Sequence, residues 1–440
     1  MTRLFRLIPA AVALVLLALP ARAAVDIQTV TSPGGITAWL VEEDGIPFTA
    51  LEIRFRGGSS LDPAGKEGAV NLMTALIEEG AGEMDAQAFA AARDGLAASF
   101  TFASDIDTVA VSARFLTENR DQAVDLLRQA ITAPRFDADA VERVRGQVLA
   151  GLRSDAKDPE TIASDLFRDM AFEGHPYERD SDGTLDSVTA LTRDDLVAAH
   201  RAALARDRIY VAAAGDITPE ELGALLDELL GALPETGAPQ AGRAEFHATG
   251  GVTVSDFPGP QSVVLFGHSG IRRDDPDFFA ATILNEVLGG GRFSARLMTE
   301  VREKRGLTYG IGTSLVGYDN AEMVMGQAAV ANARVAEAME VIRAEWARIA
   351  TEGITAEELE KTKTYLTGAY PLRFDGNGQL ATIMVNMQLI DLPPDYPKTR
   401  NDKVNAVTAA DVKRVAASLF RPADLRFVVV GQPEGVTATD

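Results

Sequence analysis

Four histidines, His175, His200, His247 and His268, are the chain's only imidazoles, and cysteine is absent. A side-chain zinc site needs nitrogen, thiolate or carboxylate donors converging on one point, and two histidines on one helix face do this at i and i+4. None of the four is so placed. His175 stands in the loop phrase HPY, His200 on an amphipathic helix pattern, His247 in a Pro/Gly/Ala-rich segment, and His268 after the strand pattern SVVLFG. A structural or surface role is expected for each. The lack of cysteine also removes thiolate ligands, cysteine nucleophiles and disulfides. Serine hydrolysis has no better start, because neither a G-x-S-x-G elbow nor a convincing carboxylate dyad stands out.

The triplet Gly289, Gly290, Gly291 followed by Arg292 suggests close backbone approach at the end of an apolar helix, with a new helix beginning at Phe293 or Ser294. A phosphate loop would need a following Gly-Lys-Ser/Thr or a preceding Rossmann unit, and both are missing. The triplet therefore reads as a wall of a binding cavity. Met384 and Met387, in GNGQLATIMVNMQL, read as packed helix residues, with a soft peptide-facing wall as the lesser alternative.

The elements that carry these residues are written twice. LTRDDLVAAHRAALARDRIYVAAAGD, from Leu191, matches VTAADVKRVAASLFRPADLRFVVVGQ, from Val407, in order: Thr cap, amphipathic helix, charged turn, apolar strand, glycine or its neighbour. FDADAVERVRGQVLAGL pairs with ITAEELEKTKTYLTGAY, and NLMTALIEEGAG with ILNEVLGGGRFS. The three pairs share an offset of roughly 212–218 residues, the mark of internal duplication. Each half begins with alternating strands, such as GITAWLVEE and FTALEIRFRGG, and continues into helices. The fold class expected is α+β: two homologous halves, residues 24–233 and 251–440, each a mostly antiparallel sheet with helices on one side. A Pro/Gly/Ala-rich linker at 234–250 joins them.

Residues 1–23 read as a cleavable signal peptide. Arg3 and Arg6 precede an apolar run from Leu7 to Ala21, and Ala21-Arg22-Ala23 is a small-x-small cleavage pattern. No later segment is long and apolar enough to span a bilayer. The expected location is the periplasm. The formal charge is −22, and losing Arg3, Arg6 and Arg22 takes it to −25, a surface that repels nucleic acid and anionic lipid.

RGGSSLDPAGKEGAVNLMTAL, GHPYERDSDGTLDSVTALTRDDL and LGGGRFSARLMTEVREKRGLTYGIGTSL together resemble the insulinase/pitrilysin-type zinc peptidases, the inverted zincins, over nearly the whole mature chain. That family's centre is H-x-x-E-H on a helix, with a distal glutamate as third ligand. Here the matching positions are Asn71, Thr74 and Ala75, and the distal ligand falls near Ala150 or Gly151. Glu78 and Glu79 follow the motif and read as a solvated helix end. No metal is expected in this chain.

The resemblance also implies that Arg302 and Tyr309 form the family's Arg/Tyr element, which holds substrate backbone and stabilises a tetrahedral intermediate. A guanidinium and a phenol can donate to a developing oxyanion. Half-size relatives work as heterodimers, one chain carrying H-x-x-E-H and zinc, the other the Arg/Tyr pair. The implied function is therefore the metal-free subunit of a periplasmic zinc peptidase, binding unfolded peptide and completing the site of a homologous H-x-x-E-H-bearing subunit. The alternative is a non-catalytic scaffold or chaperone-like peptide binder, as in the core subunits of respiratory complexes.

Overall fold

A computed structural model of the chain describes residues 26–439; the segment read as a signal peptide lies outside them. The first half contains β1 (Gln28–Thr31), β2 (Thr37–Glu42), β3 (Phe48–Arg56), a two-residue ribbon β4 (Gly80–Ala81) and β5 (Met84–Asp85), β6 (Ser99–Ser104), β7 (Thr108–Leu116) and β8 (Ile209–Gly215). The second contains β9 (Val252–Ser255), β10 (Gln261–Ser269), β11 (Thr308–Gly317), β12 (Glu322–Ala331) and β13 (Arg426–Val430).

Sheet order makes the duplication concrete. The first sheet runs β1-β2-β8-β3-β7-β6 and the second β11-β12-β10-β13-β9. Reversed, the second reads β9-β13-β10-β12-β11, which matches β2-β8-β3-β7-β6 strand for strand. Both contain one parallel pair, β2 with β8 and β9 with β13, among antiparallel neighbours. Only β1 is extra. Helices follow the same plan: α1 (Ala69–Ala75), α2 (Ala86–Gly95), α3 (Arg120–Thr132), α4 (Ala138–Asp155), α5 (Pro159–Ala171), α6 (Leu185–Ala190), α7 (Arg193–Ala203) and α8 (Pro219–Leu230). The second half has α9 (Phe278–Leu288), α10 (Val335–Glu352), α11 (Ala356–Ala369), α12 (Asn377–Leu389), α13 (Tyr396–Ala406) and α14 (Ala409–Leu419). The paired caps recur in atomic detail. Thr192 and Asp195 form a capping box on α7, as Thr408 and Asp411 do on α14.

Side-chain alternation assigns the two faces of each sheet. Leu40, Leu51, Ile53, Val211 and Ala213 join the core made by the first half's own helices, whereas Trp39, Ala50, Ala212 and Ala214 pack on Leu380, Met384, Val385 and Met387 of α12. The reciprocal packing seats Ala163, Phe167 and Ala171 of α5 on Val263, Leu265, Val428 and Val430 of the second sheet. Each half thus lends one helix to the other. The sequence expectation of helices on one side holds for each half's own helices; the second face is covered by the exchanged helix. Small residues at 212 and 214 let α12 lie close, and Gln388 Nε2 donates to the Val211 carbonyl at 2.7 Å. Met384 and Met387 are accordingly buried between the halves, at 1% and 4% exposure.

The irregular stretch between the halves is held on both sides. Ala238 N donates to Ala202 O at 3.0 Å, and Ala244 N donates to Asn320 O at 2.9 Å. A polar contact adds to this: Tyr177 Oη donates to Asp107 at 2.5 Å and accepts from Asn320 N at 3.0 Å.

Candidate functional site

The helix at the zinc-motif positions is anchored at its start by a buried carboxylate. Buried Asp62 accepts from Gly68 N at 2.8 Å and Val70 N at 3.0 Å, satisfying the open amides at the start of α1. Burial pushes its carboxyl up to about 7, against the pull of those amides. Gly68 takes φ +85°, and a Cβ there would meet the Asp182 carbonyl at 2.5 Å, so only glycine fits. Leu72, Met73 and Thr74 point inward; Asn71 is half-buried and Ala75 exposed.

Those side chains do not fit zinc. An amide, a hydroxyl and a methyl occupy the motif positions, and the Thr74 hydroxyl is buried without a hydrogen-bond partner among the described residues. On α4, Ala150 and Gly151 are exposed and bring no donor. Glu78 and Glu79 are not a solvated helix end. Arg93 Nη1 donates to Glu78 at 2.8 Å, and Arg143 of α4 pairs with Glu79, with Nη1 to Oε1 at 3.1 Å. The carboxylates nearest the lost motif are committed to fastening α1 onto α2 and α4. Among the described residues, no group of three or more His, Asp or Glu side chains converges in a way that could hold a metal.

Each histidine has a local task or none. His175 Nδ1 accepts from Tyr177 N at 3.1 Å, with Nε2 3.0 Å from Gly242 O. His200 is buried with Nε2 2.7 Å from Ile131 O, and burial lowers its pKa. His247 is exposed. His268 is fully buried, receiving the Trp346 indole N–H on Nε2 at 3.0 Å and placing Nδ1 2.8 Å from Ser269 O. Those partners require the neutral Nδ1–H form, and burial lowers its pKa to about 4.

In the second half, Gly289, Gly290 and Gly291 line a cavity of about 1050 Å³. Gly289 O accepts from Thr313 N of β11 at 2.7 Å, and a Cβ on Gly289 would lie 2.5 Å from Thr313 Oγ1. The triplet therefore packs directly onto the edge strand. A Cβ on Gly290 would meet Glu286, whose carboxyl burial pushes its pKa up and whose cationic partner is Arg292 at 3.6 Å.

The helix expected at Phe293 or Ser294 starts later. Residues 296–297 are α-helical, and Met298–Glu303 forms a π-helical turn, an infrequent geometry often found at functional sites. The widened turn carries Arg302, whose guanidinium lies 4.8 Å from the ring centre of Phe293, itself 66% exposed. Tyr309 falls in a β-bulge. Thr308 pairs with Val330 and Ile311 with Ala328, so Tyr309 and Gly310 oppose a single residue of β12. Bulges re-aim side chains, and Tyr309 is 88% exposed. Arg302 and Tyr309 are not among the residues that line the glycine-walled cavity. They lie next to it, joined through Phe293 after the triplet and through β11, on which the triplet rests.

Sequence reasoning missed another part of the cavity lining: Arg273, Tyr370, Arg373, Tyr396 and Arg400. Their phrases, RRDDPDFF, YPLRFD and DYPKTR, mix arginine with aromatics, which is a weak signal on its own.

Two family models match the chain. The insulinase model (peptidase family M16) covers residues 39–184, and the model described as the peptidase M16 inactive domain covers residues 190–366. The chain belongs to the insulinase family, M16. A crystal structure of a peptidase M16 inactive domain from Pseudomonas fluorescens superposes with a TM-score of 0.87 at 28% identity, covering 94% of this chain and 99% of that one. A Helicobacter pylori protein named non-peptidase homolog YmxG is 24% identical over 390 residues, covering 88% of this chain and 89% of its own length. A Streptomyces coelicolor protein named as an uncharacterized zinc protease is 26% identical over 405 residues, covering 90% and 87%. Within M16, this chain keeps the two-half architecture and lacks the donors of the zinc centre.

Proposed function

We propose that this chain is the metal-free subunit of a periplasmic heterodimeric M16 peptidase. It binds unfolded peptide and supplies Arg302 and Tyr309 to the zinc site of a homologous partner carrying H-x-x-E-H. One contrast supports this reading. The zinc positions hold an amide, a buried hydroxyl and a methyl, while a π-turn carries half-buried Arg302 beside exposed Phe293 and a β-bulge leaves the Tyr309 phenol exposed. Burying a large aromatic side chain stabilises a fold by about 1.5–3 kcal/mol. Tyr309 forgoes that within the single chain, as does Phe293 beside Arg302. Neighbouring exposed apolar groups of this kind mark interaction surfaces. In the complex, Arg302 and Tyr309 would donate to the scissile carbonyl oxygen as it gains charge, with zinc and its activated water provided by the partner.

The test is Arg302→Ala and Tyr309→Phe in the reconstituted two-chain complex. Loss of an oxyanion donor lowers kcat by roughly 10²–10³-fold, with zinc content and assembly unchanged. Unaltered turnover in both variants refutes the role. A non-catalytic scaffold is the second reading, and the name of the Helicobacter relative favours it. A scaffold would copurify with no H-x-x-E-H chain, and no peptidase activity would depend on its presence.

A further inference from the structure

The lining of the glycine-walled cavity also gathers arginines. Arg273, Arg373 and Arg400 line it together with two acidic residues, Glu286 and Asp375; Glu286 lies 3.6 Å from Arg292 and also feels the charge of Arg373. This local charge runs against a chain whose net formal charge is −22.

Aromatic faces and hydrogen bonds hold two of the arginines in place. Arg273 lies 4.2 Å above Phe278 and donates to Tyr396 Oη at 2.5 Å. Arg400 lies 4.4 Å above Tyr370 and donates to Leu366 O at 2.9 Å. Arg373 stands on the exposed rim. The three are close enough to interact: burial lowers the pKa of half-buried Arg400, Tyr396 and Tyr370 oppose that, and Arg373 and Arg273 add smaller like-charge effects in the direction of burial. Like charges gathered in a cavity are relieved by an anion, and a planar guanidinium matches a carboxylate bidentately.

The remaining lining mixes apolar side chains, including Phe279, Leu372, Ile383 and Leu392, with polar ones such as Asn285, Gln379 and Asn386. At about 1050 Å³ the space is at the upper end of small-molecule pockets, roughly 300–1,000 Å³. An extended peptide segment suits both its size and its lining.

We propose that Arg273, Arg373 and Arg400 form an anion subsite in this cavity that captures a carboxylate of a bound peptide, either its C-terminal carboxylate or an Asp/Glu side chain. The proposal rests on the peptide-binding role above and names the feature of the peptide that is recognised. The glycine triplet lines the same cavity.

The test is fluorescence anisotropy on the purified full chain with three versions of one apolar peptide: free acid, C-terminal amide, and the amide with one internal glutamate. Wild-type protein should bind at least one charged version about tenfold more tightly than the neutral amide, a difference of about 1.4 kcal/mol. Whichever charged version gains identifies the carboxylate source. Arg373→Gln, on the exposed rim, should keep the wild-type melting temperature and lose the preference. Arg400→Lys keeps a charge without the planar fork and should retain only part of it. Equal wild-type binding of all three peptides overturns the subsite, as does an undiminished preference in Arg373→Gln. Either outcome leaves the Arg302 test of the two-chain complex standing. Failure to bind any of the peptides sinks both proposals.

Discussion

Thr74 stands where the family resemblance puts the catalytic glutamate, and its environment makes a quantitative prediction. It is 3% exposed, and its hydroxyl has no hydrogen-bond partner among the described residues. A buried, unpaired hydroxyl costs about 1–3 kcal/mol. Thr74→Val keeps the shape, removes the polar atom and barely alters helix propensity. The substitution should therefore stabilise the fold by about 1–2 kcal/mol. In a cooperative unit of roughly 150–250 residues, each kcal/mol raises Tm by roughly 2–4 °C. Thr74→Glu, restoring the family residue, should be destabilising by several kcal/mol, because no cation awaits the buried carboxylate. Calorimetry and urea denaturation measure both. Destabilisation of Thr74→Val by 1 kcal/mol or more would mean that the hydroxyl is bonded in the folded protein. Lower turnover of the two-chain complex with Thr74→Val, at unchanged stability, would mean that position 74 retains a catalytic task.

Met384→Ala should cost about 2–5 kcal/mol, because Met384 is buried between α12 and the first sheet, and chemical denaturation should show both halves losing stability together. His268 sets an acid-side slope. Its folded pKa is lowered to about 4 from an unfolded value of about 6.5, so the stability it contributes is present above about pH 6.5 and is lost as pH falls towards 4. His268→Gln should flatten that limb in pH-dependent unfolding, and an unchanged slope would contradict the assignment. Asp62 acts with the opposite sign. Its carboxyl is raised to about 7, so its contribution is greatest below about pH 4 and is lost as pH rises towards 7; Asp62→Asn should reduce that decline.

Much of this was legible in the sequence because it is local or periodic. The Thr-x-x-Asp caps at Thr192 and Thr408, the alternating strands and the repeat offset encode the duplicated α+β halves directly. The loss at Asn71, Thr74 and Ala75 was legible because zinc chemistry depends on residue type at fixed spacing. The exchange of α5 and α12 was not. Strands such as VAAAG are apolar on both faces, and periodicity does not say which helix covers which face. The π-turn at Arg302 depends on how the chain closes after residue 298, which an ordinary helical pattern does not reveal. The arginine lining assembles from positions more than a hundred residues apart, Arg273 and Arg400, which only tertiary packing brings together.

The most direct measurement is zinc stoichiometry of the isolated, purified chain by elemental analysis, paired with a peptidase assay with and without chelator. Far less than one zinc per chain and no chelator-sensitive cleavage are expected, with activity emerging only when an H-x-x-E-H subunit is added. One tightly held zinc per chain, accompanied by cleavage that a chelator abolishes, would contradict a metal-free subunit outright.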